Sequence, residues 1–338
     1  VVAFETLTYK GIEVAAHTDI NDKGQTVSFK KPSVGTTAKD TETNSSEAYI
    51  SKKTTIVDTV NYTDLIVGKE YTISGVLMDK STGKELIVNG NKVTATKTFT
   101  ATQANGSIEI EFTFDSSALA GKSVVAFEIL TYKGIEVAAH TDINDKGQTV
   151  SFKKPSVGTT AKDTETNSSE AYISKKTTIV DTVNYTDLIV GKEYTVSGVL
   201  MDKSTGKELI VNGNKVTATK TFTATQANGS IEIEFTFDSS ALAGKSVVAF
   251  ETLKYNGKEI AAHKDINDRE QTVSFKKPSV GTTAKDKASN NNKDVAPSKT
   301  TTIVDTVSYT DLIVGKEYTI SGVLMDKSTG KELIVNGN

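Results

Sequence analysis

The 338-residue chain has no cysteine. That excludes a disulfide framework, a thiolate zinc site, an iron–sulfur cluster and a cysteine nucleophile, so whatever reinforces the protein is not a disulfide. Tryptophan is absent too, and there are only three histidines, three methionines and four prolines. Neither sign of charge prevails: 39 basic against 42 acidic residues leave a formal charge of −3, with no basic field to hold a phosphate backbone, so nucleic acid is not an expected partner. No run approaches the roughly 18 apolar residues of a membrane span, no membrane insertion is expected, and no charged start plus apolar core marks a secretion signal. Hydrophobic content of 36% is low, though 24 glycines narrow the gap to ordinary globular composition, and thin cores follow.

What the sequence does have is a repeat of 123 residues. Residues 32–154 recur at 155–277 with nine differences, one at position 73 and eight between 129 and 147. Residues 1–31 match the tail of a unit and residues 278–338 its beginning, so four segments are expected: a C-terminal fragment, two complete domains and an N-terminal fragment. The opening VVAFETL reads as the middle of a strand, and the natural chain is expected to continue on both sides. Each unit opens with KKPSVG, where proline stiffens the junction, so the neighbouring repeats are expected to be one another's first partners.

Within a unit, short runs rich in β-branched and aromatic residues follow one another: 71–79, 108–115, 123–132 and 148–154. Between them lie STGK, VNGN, ANGS and YKG, all turn chemistry. Eight or so strands and no periodic helix predict an all-β chain of tandem β-sandwiches.

His140 ends the run GIEVAAH and stands eight residues before Gln148, as His263 does before Gln271. Alone, a histidine at a strand end beside an acidic loop is a solvated or capping residue. With Asp142 and Asp145 it could ligate a hard cation, but DINDKGQ lacks the carboxylate ladder and closing glutamate of a calcium loop, and neither metal nor cofactor is expected. No G-x-S-x-G elbow follows a strand, so a turnover enzyme is not expected. Glu128 is different. Strand alternation puts Val124, Ala126 and Glu128 on one face and Val125, Phe127 and Ile129 on the other, so the carboxyl sits in apolar surroundings. Buried, it would take a raised pKa or share a proton with a second acid, for which Asp58 in TTIVDTV is the candidate.

GTTAKD, TTIVDTVNYTDL, GKEYTISGVLMDKSTGK, VVAFEIL and AAHTDINDKGQTV, in that order, resemble the VaFE repeat, or T-Q ester-bond domain, of Gram-positive surface adhesins. The resemblance covers each complete unit from end to end. It implies an immunoglobulin-like sandwich whose first and last strands are joined when a threonine hydroxyl attacks a glutamine amide and ammonia leaves. Carried over, Gln148 is the acyl donor, His140 the base, and Asp58 and Glu128 the acid pair, with Asp115 also near in sequence. The threonine is Thr36 or Thr37; the family pattern T-x-A favours Thr36. In the second unit the roles fall to Thr159, Asp181, Glu251, His263 and Gln271. At the ends, Gln25, His17 and Glu5 lack a threonine, while Thr282 and Asp305 lack a glutamine.

The chemistry needs a base for the hydroxyl, a group to stabilise the developing oxyanion and a proton for ammonia; a protonated carboxyl is expected to hold the amide oxygen. The resemblance implies an extracellular, cell-wall-attached stalk, with other copies in a fibre and a host ligand at a distal tip as further partners. Two alternatives stand beside it: repeats that themselves bind a host glycan or protein by avidity, and Lys–Asn isopeptide domains with the same mechanical role.

Overall fold

The computed structural model describes residues 1–292 and 295–335, so the fragment predicted at 278–338 lies partly outside the described residues. It contains no helix among those residues. Contacts divide the chain into two compact units, Val1–Pro155 with Asp187–Ile189, and Ser156–Thr186 with Val190–Asn338. Each unit holds one complete sandwich.

The first sandwich has eight strands of four residues or more: Ser33–Asp40, Thr54–Thr63, Glu70–Asp79, Thr94–Thr100, Gly106–Phe114, Ser123–Tyr132, Ile135–His140 and Thr149–Phe152. Three of them form one antiparallel sheet in the order Gly106–Phe114, Thr54–Thr63, Ser33–Asp40. The facing sheet runs Thr94–Thr100, Glu70–Asp79, Ser123–Tyr132, Thr149–Phe152, and ends on the short parallel strand Glu47–Ala48. The first and last long strands of the unit therefore belong to opposite sheets.

Alternation explains the core. Ile56, Val60, Ile110 and Phe112 point inward from one sheet, and Ile73, Leu77, Val124, Ala126, Leu130 and Val150 from the other. Val125 is fully buried on the opposite face, as an apolar run on both sides of a strand requires. Gly75 sets the spacing of the sheets: a Cβ there would lie 2.6 Å from both Ile110 Cδ1 and Phe112 Cζ. The hairpin joining Ser123–Tyr132 to Ile135–His140 turns through Lys133 (φ 51°) and Gly134 (φ 79°), the paired left-handed residues of a tight hairpin.

The second sandwich repeats this arrangement, with Ser156–Asp163, Thr177–Thr186 and Gly229–Phe237 in the small sheet and Ser246–Tyr255 central in the larger one. The nine sequence differences leave topology and register unchanged because eight of them fall on the hairpin 129–147 and its loop.

Candidate functional site

Strand alternation separates the two adjacent threonines. Thr36 faces the interior at 8% exposure, with Ala38 and Asp40, whereas Thr37 faces out. Ala38 is the register partner of Asp58 on the neighbouring strand, so the inward Asp58 sits diagonally from Thr36. From the facing sheet comes Glu128, opposite Gly75 on one side and His140 on the other. Gln148 immediately precedes Thr149–Phe152. Its backbone carbonyl accepts from Ala126 N at 3.1 Å, and the preceding Gly147 carbonyl accepts from Ala38 N at 2.9 Å, tying the loop to both sheets.

These side chains meet. Thr36 Oγ1 donates to Glu128 Oε2 at 3.1 Å, and Gln148 Nε2 contacts both Thr36 Oγ1 and Glu128 Oε2. Asp58, Glu128 and Gln148 are wholly buried. The amide thus presents its nitrogen to Glu128, not its oxygen as expected from sequence, and Gln148 Oε1 is left without a donor. The reason is that Glu128 Oε2 already acts as an acceptor, for the threonine hydroxyl and the amide N–H together.

Burial, and then the charge of Asp58 beside it, pushes the Glu128 carboxyl up to about 10. Burial also raises Asp58, an effect opposed by its contact with Glu128 and by the charge of His140. The Thr37 backbone N–H also opposes the rise at Asp58, while Oε1 of Glu128 meets no N–H donor and faces the Asp58 carboxyl. A carboxyl–carboxyl contact is a hydrogen bond only when one member carries a proton, so the pair holds one proton between them, on Glu128.

His140 lies at the margin, its side chain 22% exposed, with Nε2 2.8 Å from Asp145 Oδ2. No hydrogen bond joins the imidazole to Thr36 among the described residues; the groups touching the hydroxyl are the Glu128 carboxyl and the Gln148 amide. The sequence offers Asp145 only as a cation ligand. Its carboxylate instead holds the histidine and accepts from Gly147 N at 2.6 Å, while Asp142 caps Asn144 N at 2.9 Å. The five-residue spacing of His140 and Asp145 within one acidic loop was the signal available. Asp115, also near in sequence, lies apart from the cluster and caps Ser117 N at 2.9 Å.

The second sandwich has the same site. Thr159 Oγ1 donates to Glu251 Oε2 at 3.1 Å, Gln271 Nε2 contacts both, and His263 Nε2 is 2.9 Å from Asp268. Burial and contact with Asp181 push Glu251 up to about 10, and burial raises Asp181. The fragments hold half-sites. Gln25 contacts Glu5, and His17 lies 2.6 Å from Asp22 with its side chain 54% exposed. Thr282 and Asp305 share the two-stranded sheet Ser279–Asp286 with Ile303–Thr310, both exposed.

No curated relative matches the sequence at a significant level. Among solved structures, a bacterial adhesin from Mobiluncus mulieris containing intramolecular disulfide, isopeptide and ester bond cross-links aligns at 15% identity, over 82% of this chain and 92% of that one, with a TM-score of 0.33. Red sea bream transglutaminase aligns at 9% identity over 75% of this chain and 32% of its own, with a TM-score of 0.24. At such scores the alignments add nothing to the assignment of the chain. The family model does: that of the T-Q ester bond containing domain matches residues 1–29, 32–152, 155–275 and 278–338, nearly the whole length, and the chain belongs to that family.

Proposed function

We propose that each complete unit closes on itself through an ester between Thr36 and Gln148, or Thr159 and Gln271, and that the tandem units form the stalk of an extracellular, cell-wall-attached adhesin of a Gram-positive bacterium. The observation that carries this reading is the buried meeting of a threonine hydroxyl and a glutamine amide 112 positions apart, on one shared carboxyl, in both sandwiches.

The reaction joins Thr36 Oγ1 to Gln148 Cδ, breaks the Cδ–Nε2 bond and releases ammonia. Glu128 Oε2 touches both the attacking oxygen and the leaving nitrogen, so it relays the proton: it takes one from Thr36 and delivers one to Nε2. Asp58, sharing the proton on the far side of Glu128, makes that oxygen a better acceptor. Asp145 orients His140, whose charge faces Asp58 and favours its ionised form. Folding supplies the proximity, a contribution of up to roughly 7–11 kcal/mol in favourable cases. Burial of these groups keeps water from the product.

With the acid pair and the amide wholly buried, the acyl transfer runs once, on the protein's own chain. The isopeptide alternative lacks a lysine: none is among the buried polar residues of the described chain. Load entering at Ser33–Asp40 and leaving at Thr149–Phe152 would pass through the ester and bypass the sheets.

The test is the intact mass of the full chain. Two ammonia masses should be missing, with one restored in Thr36→Ala and one in Thr159→Ala, and hydroxylamine should cleave the links as esters. An unmodified mass contradicts the reading.

A further inference from the structure

Lys80 directly follows strand Glu70–Asp79, and its half-buried ammonium donates to Thr149 Oγ1 at 2.9 Å. The Thr149 hydroxyl in turn donates to the Asp145 carbonyl at 2.6 Å. Between those two residues runs the loop that carries Gln148, and Asp145 is also the carboxylate on His140. The lysine's own backbone is fixed, Lys80 N donating to Ser123 O at 3.1 Å. Lys203, Thr272 and Asp268 repeat the chain of contacts at 2.9 and 2.5 Å.

Residues 1–31 separate the parts of this device. Thr26 caps the Asp22 carbonyl at 2.7 Å there, in a segment with no counterpart of Lys80. The hydroxyl-to-carbonyl cap is therefore local to the loop. What the lysine adds is a tether from the capped loop to the sandwich. An ammonium finds a stronger partner in a carboxylate than in a neutral hydroxyl, so this pairing is not accounted for by charge neutralisation.

We propose that Lys80 and Lys203 are positioning residues for the crosslink: through Thr149 and Thr272 they hold the glutamine loop so that the amide stays against the threonine hydroxyl. The proposal rests on the ester reading above. Lys80 touches none of the reacting atoms, so it acts only through geometry, and a displacement of about 1 Å at a reacting centre can slow a reaction by about 10²-fold.

The experiment follows the full chain made by cell-free synthesis, quenched at intervals and digested, with each linked peptide pair measured separately. Lys80→Met should slow linkage at Thr36–Gln148 by about 10-fold or more, while Thr159–Gln271, with Lys203 intact, proceeds at its usual rate. Thr149→Val should reproduce the loss, and Lys80→Arg and Thr149→Ser should restore it. In a Thr36→Ala, Thr159→Ala chain, Lys80→Met should leave the melting temperature unchanged. Linkage by Lys80→Met at the unsubstituted rate overturns the proposal, and so does a slowing matched by a lower melting temperature in the unlinked chain. Absence of both links from the unsubstituted chain overturns the ester reading itself, and this inference with it.

Discussion

Thr36 and Gln148 lie 112 positions apart in the chain and touch inside one sandwich, the threonine on the three-stranded sheet and the glutamine at the margin of the facing one. Joining them links the first long strand of the unit to the last.

Neighbouring threonines should behave in opposite ways. Thr36→Ala removes the buried hydroxyl and should abolish the first link, whereas Thr37→Ala alters an exposed side chain and should leave it intact. Intact mass of the two variants checks this; an effect of Thr37→Ala alone would reverse the assignment.

Glu128→Gln should stop the first link and spare the second. The amide cannot relay a proton between Thr36 and Nε2, and loss of general acid–base assistance typically costs about 10²–10⁴-fold in rate. Asp58→Asn should slow the link less, because Asp58 is bonded to neither reacting atom. Time courses of linked peptide measure both.

Before linkage, the acid pair should make stability fall as pH rises. Glu128 is raised from its ordinary 4.5 to about 10 by burial and by Asp58, so between those values the folded state holds a proton that the unfolded state has lost. The stability present below the lower value is then lost progressively through the window. Melting temperatures of a Thr36→Ala, Thr159→Ala chain should decline from mildly acid to mildly alkaline buffer, and Glu128→Gln with Glu251→Gln should flatten that decline. A rise with pH contradicts the protonated acid.

Gly75→Ala should destabilise the first sandwich by about 1–3 kcal/mol, the usual cost of overpacking a core. Its new Cβ would sit 2.6 Å from Phe112 Cζ, beside the register position of Glu128. Denaturant unfolding of the unlinked chain measures this, and an unchanged midpoint would show that the sheets can move apart freely.

Much of this was legible in the residues. The apolar surroundings of VVAFE, on both faces of its strand, and of TTIVDTV point to buried carboxyls at Glu128 and Asp58, and the structure has them so. Strand alternation would have separated Thr36 from Thr37 had one inward residue on that strand been known. Less was legible about contacts across the interior. The partner of His140 is Asp145, which an acidic loop with three aspartate or asparagine side chains hides among equals, and the orientation of the Gln148 amide depends on which oxygen of Glu128 is already an acceptor. Lys80 carries no signal at all in sequence, since its partner is a plain threonine hydroxyl.

The most direct test is a tryptic map of the full chain. Peptide 31–39 should appear joined to 147–153 and, as its identical copy 154–162, to 270–276, with fragmentation placing the links on Thr36 and Thr159; Gly147 and Glu270 distinguish the two products by mass. Each joined pair should weigh one ammonia less than its two parts. Peptides 24–30 and 277–285 repeat the sequences of 147–153 and 31–39 and stay free in either case, so the contradicting result is absence of both joined pairs, with 270–276 recovered alone at its unmodified mass.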